Sequence, residues 1–167
     1  MGSLKVGDKA PDFCLTSTSG GEVKLSDLLK DNKYVIVAFY PAAFTSVCGN
    51  EMSLYQEVQS EFKNMGAQII GISEDNLPSI KAWCQEKGIG FPMLSDFHPK
   101  GAVAQEFGVL REQDGMAERA LFIVDSDMVI RYAYISSISQ NPGADRLFDE
   151  LEKLNSGQDK VVGGKAA

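Results

Sequence analysis

The segment Pro41-Ala-Ala-Phe-Thr45-Ser-Val-Cys48 holds the residues of this chain best suited to chemistry. It follows the hydrophobic run Tyr34-Val-Ile-Val-Ala-Phe-Tyr40 and opens a helical pattern, so Cys48 falls in the first turn of a helix. Backbone N–H groups there have no intrahelical partner and carry partial positive charge. A thiol so placed favours its thiolate, the nucleophilic form. Thr45 lies three residues earlier on the same side of the turn, with a hydroxyl able to face the sulfur. Pro41 can close the entry to the turn without an N–H of its own. Together these residue types suit a reactive sulfur.

Pro41, Thr45 and Cys48 match the pattern Pro, three residues, Thr or Ser, two residues, Cys. On that motif the chain resembles the peroxiredoxins, thiol peroxidases built on a thioredoxin-like fold. Ala10-Pro11-Asp12-Phe13 is similar to the opening of that family, and Arg119, entering the run Ala120-Leu-Phe-Ile-Val124, stands where its active-site arginine lies. The resemblance implies that Cys48 attacks the distal oxygen of a hydroperoxide and becomes a sulfenic acid. It implies Arg119, the Thr45 hydroxyl and the N–H groups of Val47 and Cys48 as donors to the charge that develops on the leaving oxygen. Each residue also has a plainer reading. Thr45 suits a helix cap, Pro41 a strand terminator and Arg119 a solvated surface position.

Glu51 interrupts the apolar stripe of the long helix one turn after Cys48, and a charge on that face needs a partner. The resemblance assigns it a supporting role, orienting Arg119 or Arg146. Phe39, Tyr40 and Phe44 either wall the site or belong to the core. His98 is the sole histidine, and without a clustered second ligand it reads as a loop residue. No metal or cofactor is expected.

The fate of the sulfenic acid divides two readings. No cysteine follows Cys84, and Ser53 stands where one subgroup carries its resolving cysteine. Cys84 resembles the resolving position of the bacterioferritin-comigratory (Q-type) group. Equally, Ile80, Trp83 and Cys84 share one helix face, which suits simple packing. A Cys48–Cys84 disulfide needs α-carbons within about 7 Å, so both helices would have to open locally. The other reading is a one-cysteine enzyme like the alkyl hydroperoxide reductase E type, recycled by an external thiol. Cys14 reads as structural. Outside the enzyme class, a peroxide sensor or relay on the same fold uses the same thiol. A disulfide reductase would need two cysteines two residues apart, and Thr45-Ser-Val-Cys48 has only the last.

The elements that position these residues alternate. Phe13–Thr16 and Glu22–Lys24 flank Ser-Gly-Gly as a hairpin, and Ser26 is a candidate cap for a short helix ending near Asp31. The run from Tyr34 is a central strand covered on both faces. Thr45 to Met65 is a long helix closed by Gly66, with Val47, Leu54, Tyr55, Val58, Phe62 and Met65 as its buried stripe. Ala67–Ser73 is the next strand, Leu77–Lys87 a helix stopped by Gly88, and Pro92–Ser95 a short strand. A helix over Gly101–Phe107, an antiparallel pair around Asp125-Ser-Asp127 and a helix over Arg146–Leu154 complete the pattern. These elements fit an α/β fold, a three-layer sandwich with a mixed sheet; the resemblance makes it thioredoxin-like with an added N-terminal hairpin. One domain is expected over 1–155, with 156–167 as a disordered tail.

Composition narrows the partners. The net charge of −7 argues against a basic patch for nucleic acid or an anionic membrane. No apolar run reaches membrane-spanning length. The start lacks the apolar segment of a signal peptide, and Val6 breaks the myristoylation pattern. Three cysteines without paired spacing suit a reducing compartment, so a cytoplasmic location is expected. The resemblance implies a hydroperoxide substrate, a thiol reductant such as thioredoxin, glutaredoxin or a small thiol, and a monomer or homodimer.

Overall fold

The computed structural model describes residues 2–157. Among them, seven strands form one mixed sheet: β1 (Cys14–Ser17), β2 (Glu22–Lys24), β3 (Tyr34–Phe39), β4 (Ala67–Ser73), β5 (Met93–Ser95), β6 (Arg119–Asp125) and β7 (Ile130–Ser136), in the order β2-β1-β5-β4-β3-β6-β7. Strands β3, β4 and β5 run parallel, while β6 and β7 on one side and β1 and β2 on the other are antiparallel. Five helices cover the sheet: α1 (Leu25–Asp31), α2 (Ser46–Asn64), α3 (Leu77–Lys87), α4 (Ala102–Glu106) and α5 (Asp145–Ser156).

Side chains of β3 alternate between two cores, as the period-2 geometry of a strand requires. Ile36, Ala38 and Tyr40 pack with Tyr55 and Phe62 of α2, Ile80 and Trp83 of α3, and Leu147 and Leu151 of α5. Val35, Val37 and Phe39 pack with Leu25 and Leu29 of α1 and Val103 and Ala104 of α4. The continuous apolar run of β3 is thus explained by cover on both faces, and the result is the three-layer sandwich.

Within this frame most expected elements stand where the pattern put them, with local corrections. Ser26 does not cap α1. The N-cap is Lys24, and Asp12 Oδ1 instead accepts the Ser26 N–H at 2.9 Å from outside the helix. In α2, Val47 is only half-buried and outside the core, whereas Cys48, Gly49, Glu51 and Met52 are buried. The stripe is therefore rotated toward the site at its start. Ser156, expected in the tail, belongs to α5, which ends at Gly157 with φ 83°. Beside it, Asn155 donates to the Met65 carbonyl at 2.9 Å. The rest of the expected tail lies outside the described residues.

Candidate active site

Strand β3 ends beneath the site, and the loop after it turns through Pro41 into α2. Pro41 is buried. Phe44 adopts φ 64°, a left-handed conformation that costs a side-chain-bearing residue roughly 1–2 kcal/mol. Its ring is 57% exposed on one side and lies 6.5 Å from Trp83 on the other. Thr45 is the N-cap by backbone geometry, yet its side chain makes no capping bond. The Thr45 hydroxyl donates to the Ala42 carbonyl at 3.0 Å. The hydroxyl is thus engaged with a backbone carbonyl of its own turn.

Cys48 is the third residue of α2 and is fully buried. The first helical N–H to find its partner is that of Gly49, which donates to the Thr45 carbonyl at 2.9 Å. Cys48 therefore sits among the N–H groups that precede that bond. Arg119 opens β6, and the pairing of Phe39 with Ala120 sets it beside the exit of β3. It is 2% exposed, which removes the surface reading. Its Nη1 donates to Cys48 Sγ at 3.4 Å and to Glu51 Oε1 at 2.9 Å. Its Nε and Nη2 both donate to the Ile138 carbonyl, at 2.9 and 2.7 Å. A lysine could not make this fork; a planar guanidinium with several fixed donors can.

Glu51 has no solvent exposure, and Arg119, not Arg146, is its partner. Arg146 instead lies over the ring of Tyr134, 4.4 Å from the centroid. The second Glu51 oxygen accepts from the Tyr55 hydroxyl at 2.9 Å, and that hydroxyl also contacts the Gly143 carbonyl at 3.2 Å. Burial raises the Glu51 carboxyl above its ordinary value, offset in part by the bonds from Arg119 and Tyr55. Burial works against the Arg119 charge, but Cys48 and Glu51 outweigh it and hold the guanidinium above its ordinary value. The helical stripe places Tyr55 in the core without assigning its hydroxyl a partner. The i, i+4 spacing to Glu51 was the available signal for its hydroxyl.

The remaining candidates divide between the two cores and the surface. Phe39 faces the opposite core, while Tyr40 packs on Trp83 with ring centroids 5.4 Å apart. Burial holds the Tyr40 hydroxyl well above its ordinary value; Ser73 opposes this, and Asp75, then Cys84 and Cys48, add to it. Cys84 lies in α3, 6% exposed, and burial pushes its thiol up to about 11. Cys48 and Cys84 are both free thiols in one apolar cluster. Cys14 is exposed on β1 with its sulfur 3.7 Å from Glu22. His98 is exposed in a turn.

Comparison with known proteins gives the family of the chain. A family model described as the AhpC/TSA family matches residues 6–133. The chain belongs to the AhpC/TSA family. Alkyl hydroperoxide reductase E of Mycobacterium tuberculosis is 40% identical over 130 residues, 78% of this chain and 84% of that protein. The chloroplastic 2-cysteine peroxiredoxin of Chattonella marina var. antiqua is 35% identical over 94% of this chain and 84% of its own length. Among solved structures, peroxidoxin BcpB of Mycobacterium tuberculosis superposes with a TM-score of 0.82 at 32% identity, covering 90% of this chain and 98% of that one. The AhpC/TSA membership and these peroxiredoxin relatives agree with the thioredoxin-like sandwich and its N-terminal hairpin.

Proposed function

We propose that this protein is a thiol-dependent peroxidase in which Cys48 reduces hydrogen peroxide and organic hydroperoxides. The observation that carries the reading is the Arg119 guanidinium, fixed by Glu51 and Ile138 and donating to the Cys48 sulfur. The sulfur lone pair attacks the distal oxygen, the O–O bond breaks, and the leaving oxygen takes the electron pair and then a proton to give water or an alcohol. Cys48 is left as a sulfenic acid. Arg119 stabilises the negative charge as it passes from sulfur to the leaving oxygen, and the first-turn N–H groups assist. Thr45 accepts a hydrogen bond from the peroxide, since its own proton is held by Ala42. Pro41 shields the pocket floor.

We assign regeneration to an external thiol. Its sulfur attacks the sulfenic acid, water leaves, and a second thiol reduces the mixed disulfide. The support is the state of Cys84: it is buried, and burial pushes its thiol up to about 11. Among the described residues no helix is long and apolar enough to cross a membrane. The test is intact mass of the reduced protein after one equivalent of hydrogen peroxide, beside Cys48→Ser. One added oxygen, trapped by a sulfenic-acid reagent and absent from the variant, supports both statements. Loss of two hydrogens would move regeneration to Cys84, and an unreactive wild type would sink the peroxidase reading.

A further inference from the structure

Two adjacent acidic side chains just after β4 grip the two segments that deliver the reacting groups. Asp75 Oδ2 accepts the Ala43 N–H at 2.8 Å, in the loop between β3 and α2. Glu74 Oε1 accepts the Ala117 N–H at 2.7 Å, two residues before Arg119. We infer that Glu74 and Asp75 are positioning residues for the peroxidase reaction: Asp75 sets the Cys48 loop and Glu74 sets the strand that carries Arg119. The inference rests on the peroxidase reading above.

The geometry of Asp75 is overdetermined. The Ser73 hydroxyl donates to the same Oδ2 at 2.7 Å, and the Ser95 hydroxyl donates to the Asp75 carbonyl at 2.6 Å. The Asp96 N–H donates to the Ser73 carbonyl at 2.8 Å, so the ends of β4 and β5 are stitched together under it. A side chain held this way is a fixed acceptor for the Ala43 N–H. The loop it holds needs such an anchor, because the next residue, Phe44, is in the left-handed region. Freed from Ala43, the loop relaxes and the start of α2 shifts, carrying Cys48 with it.

Glu74 works on the other half. It is 6% exposed, and Ala117 is fully buried. The chain between them enters β6 directly: the Glu118 N–H donates to the Val109 carbonyl at 2.8 Å, and Arg119 follows in register with Ser136. Since Arg119 reaches Cys48 through a single Nη1 contact, a small displacement of either segment opens it. Misplacement of reacting groups by about 1 Å can cost on the order of 100-fold in rate.

The test is the second-order rate of Cys48 oxidation by hydrogen peroxide, followed by stopped-flow fluorescence of Trp83, the sole tryptophan. Its ring packs on Tyr40 and lies near Phe44, so its steady-state emission also reports the loop. For Asp75→Ala the expected result is a rate lowered about tenfold or more, with shifted Trp83 emission and an unchanged far-UV spectrum. Asp75→Asn, whose amide oxygen can still accept from Ala43, recovers most of the rate. Ser73→Ala removes only the hydroxyl that orients Asp75, and a loss of about threefold is expected even if Asp75→Ala does not fold. Glu74→Leu is expected to slow oxidation, and Glu74→Gln to restore it. Variants of both residues that are oxidised within twofold of a fast wild type overturn the inference alone. A wild type that peroxide does not oxidise, or a Cys48→Ser variant as active as wild type, overturns the peroxidase reading and the inference with it.

Discussion

Cys48 and Cys84 lie in the same apolar cluster, nearly equally hidden from water, at opposite ends of their helices. Cys48 occupies the first turn of α2, with a guanidinium nitrogen at 3.4 Å. Cys84 occupies the last turn of α3, and its own carbonyl accepts the N–H of Gly88 and Ile89. The N-terminal end of a helix favours negative charge and the C-terminal end opposes it. For Cys84 the only shift is the rise caused by desolvation. Two thiols hidden alike thus differ in setting: Cys48 stands at a helix start beside a fixed guanidinium, Cys84 at a helix end.

The largest effect that separates the two cysteines is removal of either sulfur. Cys48→Ser is expected to abolish peroxide consumption, a loss of roughly three orders of magnitude or more, while Cys84→Ser keeps the first oxidation step at the wild-type rate. Stopped-flow oxidation measures both, and a slow Cys84→Ser variant would break the comparison. Next in size is the fork. Arg119→Lys is expected to lower the peroxide rate about 100-fold, because one ammonium cannot serve Cys48, Glu51 and Ile138 together. Glu51→Gln is expected to lower both the rate and stability, the latter by about 3 kcal/mol, since it leaves a buried guanidinium without its countercharge. A urea melt showing a change below about 1 kcal/mol would mean the ion pair is not the buried anchor described.

A pH experiment sharpens the electrostatic half of the comparison. Burial pushes Glu74 up to about 8, with Asp96 and Asp75 adding to the rise and the Ala117 N–H opposing it. Between the ordinary value of 4.5 and about 8 the folded protein holds a proton that the unfolded chain has released. The stabilisation from this group is therefore complete below the lower value and is lost as pH rises through the higher one. Relative to Glu74→Gln, the wild type should lose stability across this window by up to about 1.4 kcal/mol per pH unit. A difference in urea midpoints that does not change with pH would contradict it. The smallest expected effect is Tyr55→Phe, which removes the hydroxyl on Glu51 and Gly143 for about 1 kcal/mol and a mild loss of rate.

Much of this arrangement is legible in the sequence because it is local. The placement of Cys48, the two-sided burial of β3 and the glycine stop of α3 follow from spacing and periodicity. The pairing of Glu51 with Arg119 needed tertiary structure to decide, since a charge on an apolar face asks for a partner without naming it. Three things were out of reach. The Thr45 hydroxyl donates to the Ala42 carbonyl, a matter of one rotamer. The Asp12 bond to Ser26 replaces a self-cap from across a strand. Glu74 and Asp75 carry no signal of their own in the sequence; only the fold brings Ala117 and Ala43 against them.

That order has a topological corollary. Strand β3 is interior, flanked by β4 and β6. Its loop can be braced from both sides, and neither side offers an open edge for foreign strands to join. Extra sequence must attach at the margins, as the β1–β2 hairpin does at one end of the sheet. The strand that delivers the nucleophile is thereby kept apart from both margins of the sheet.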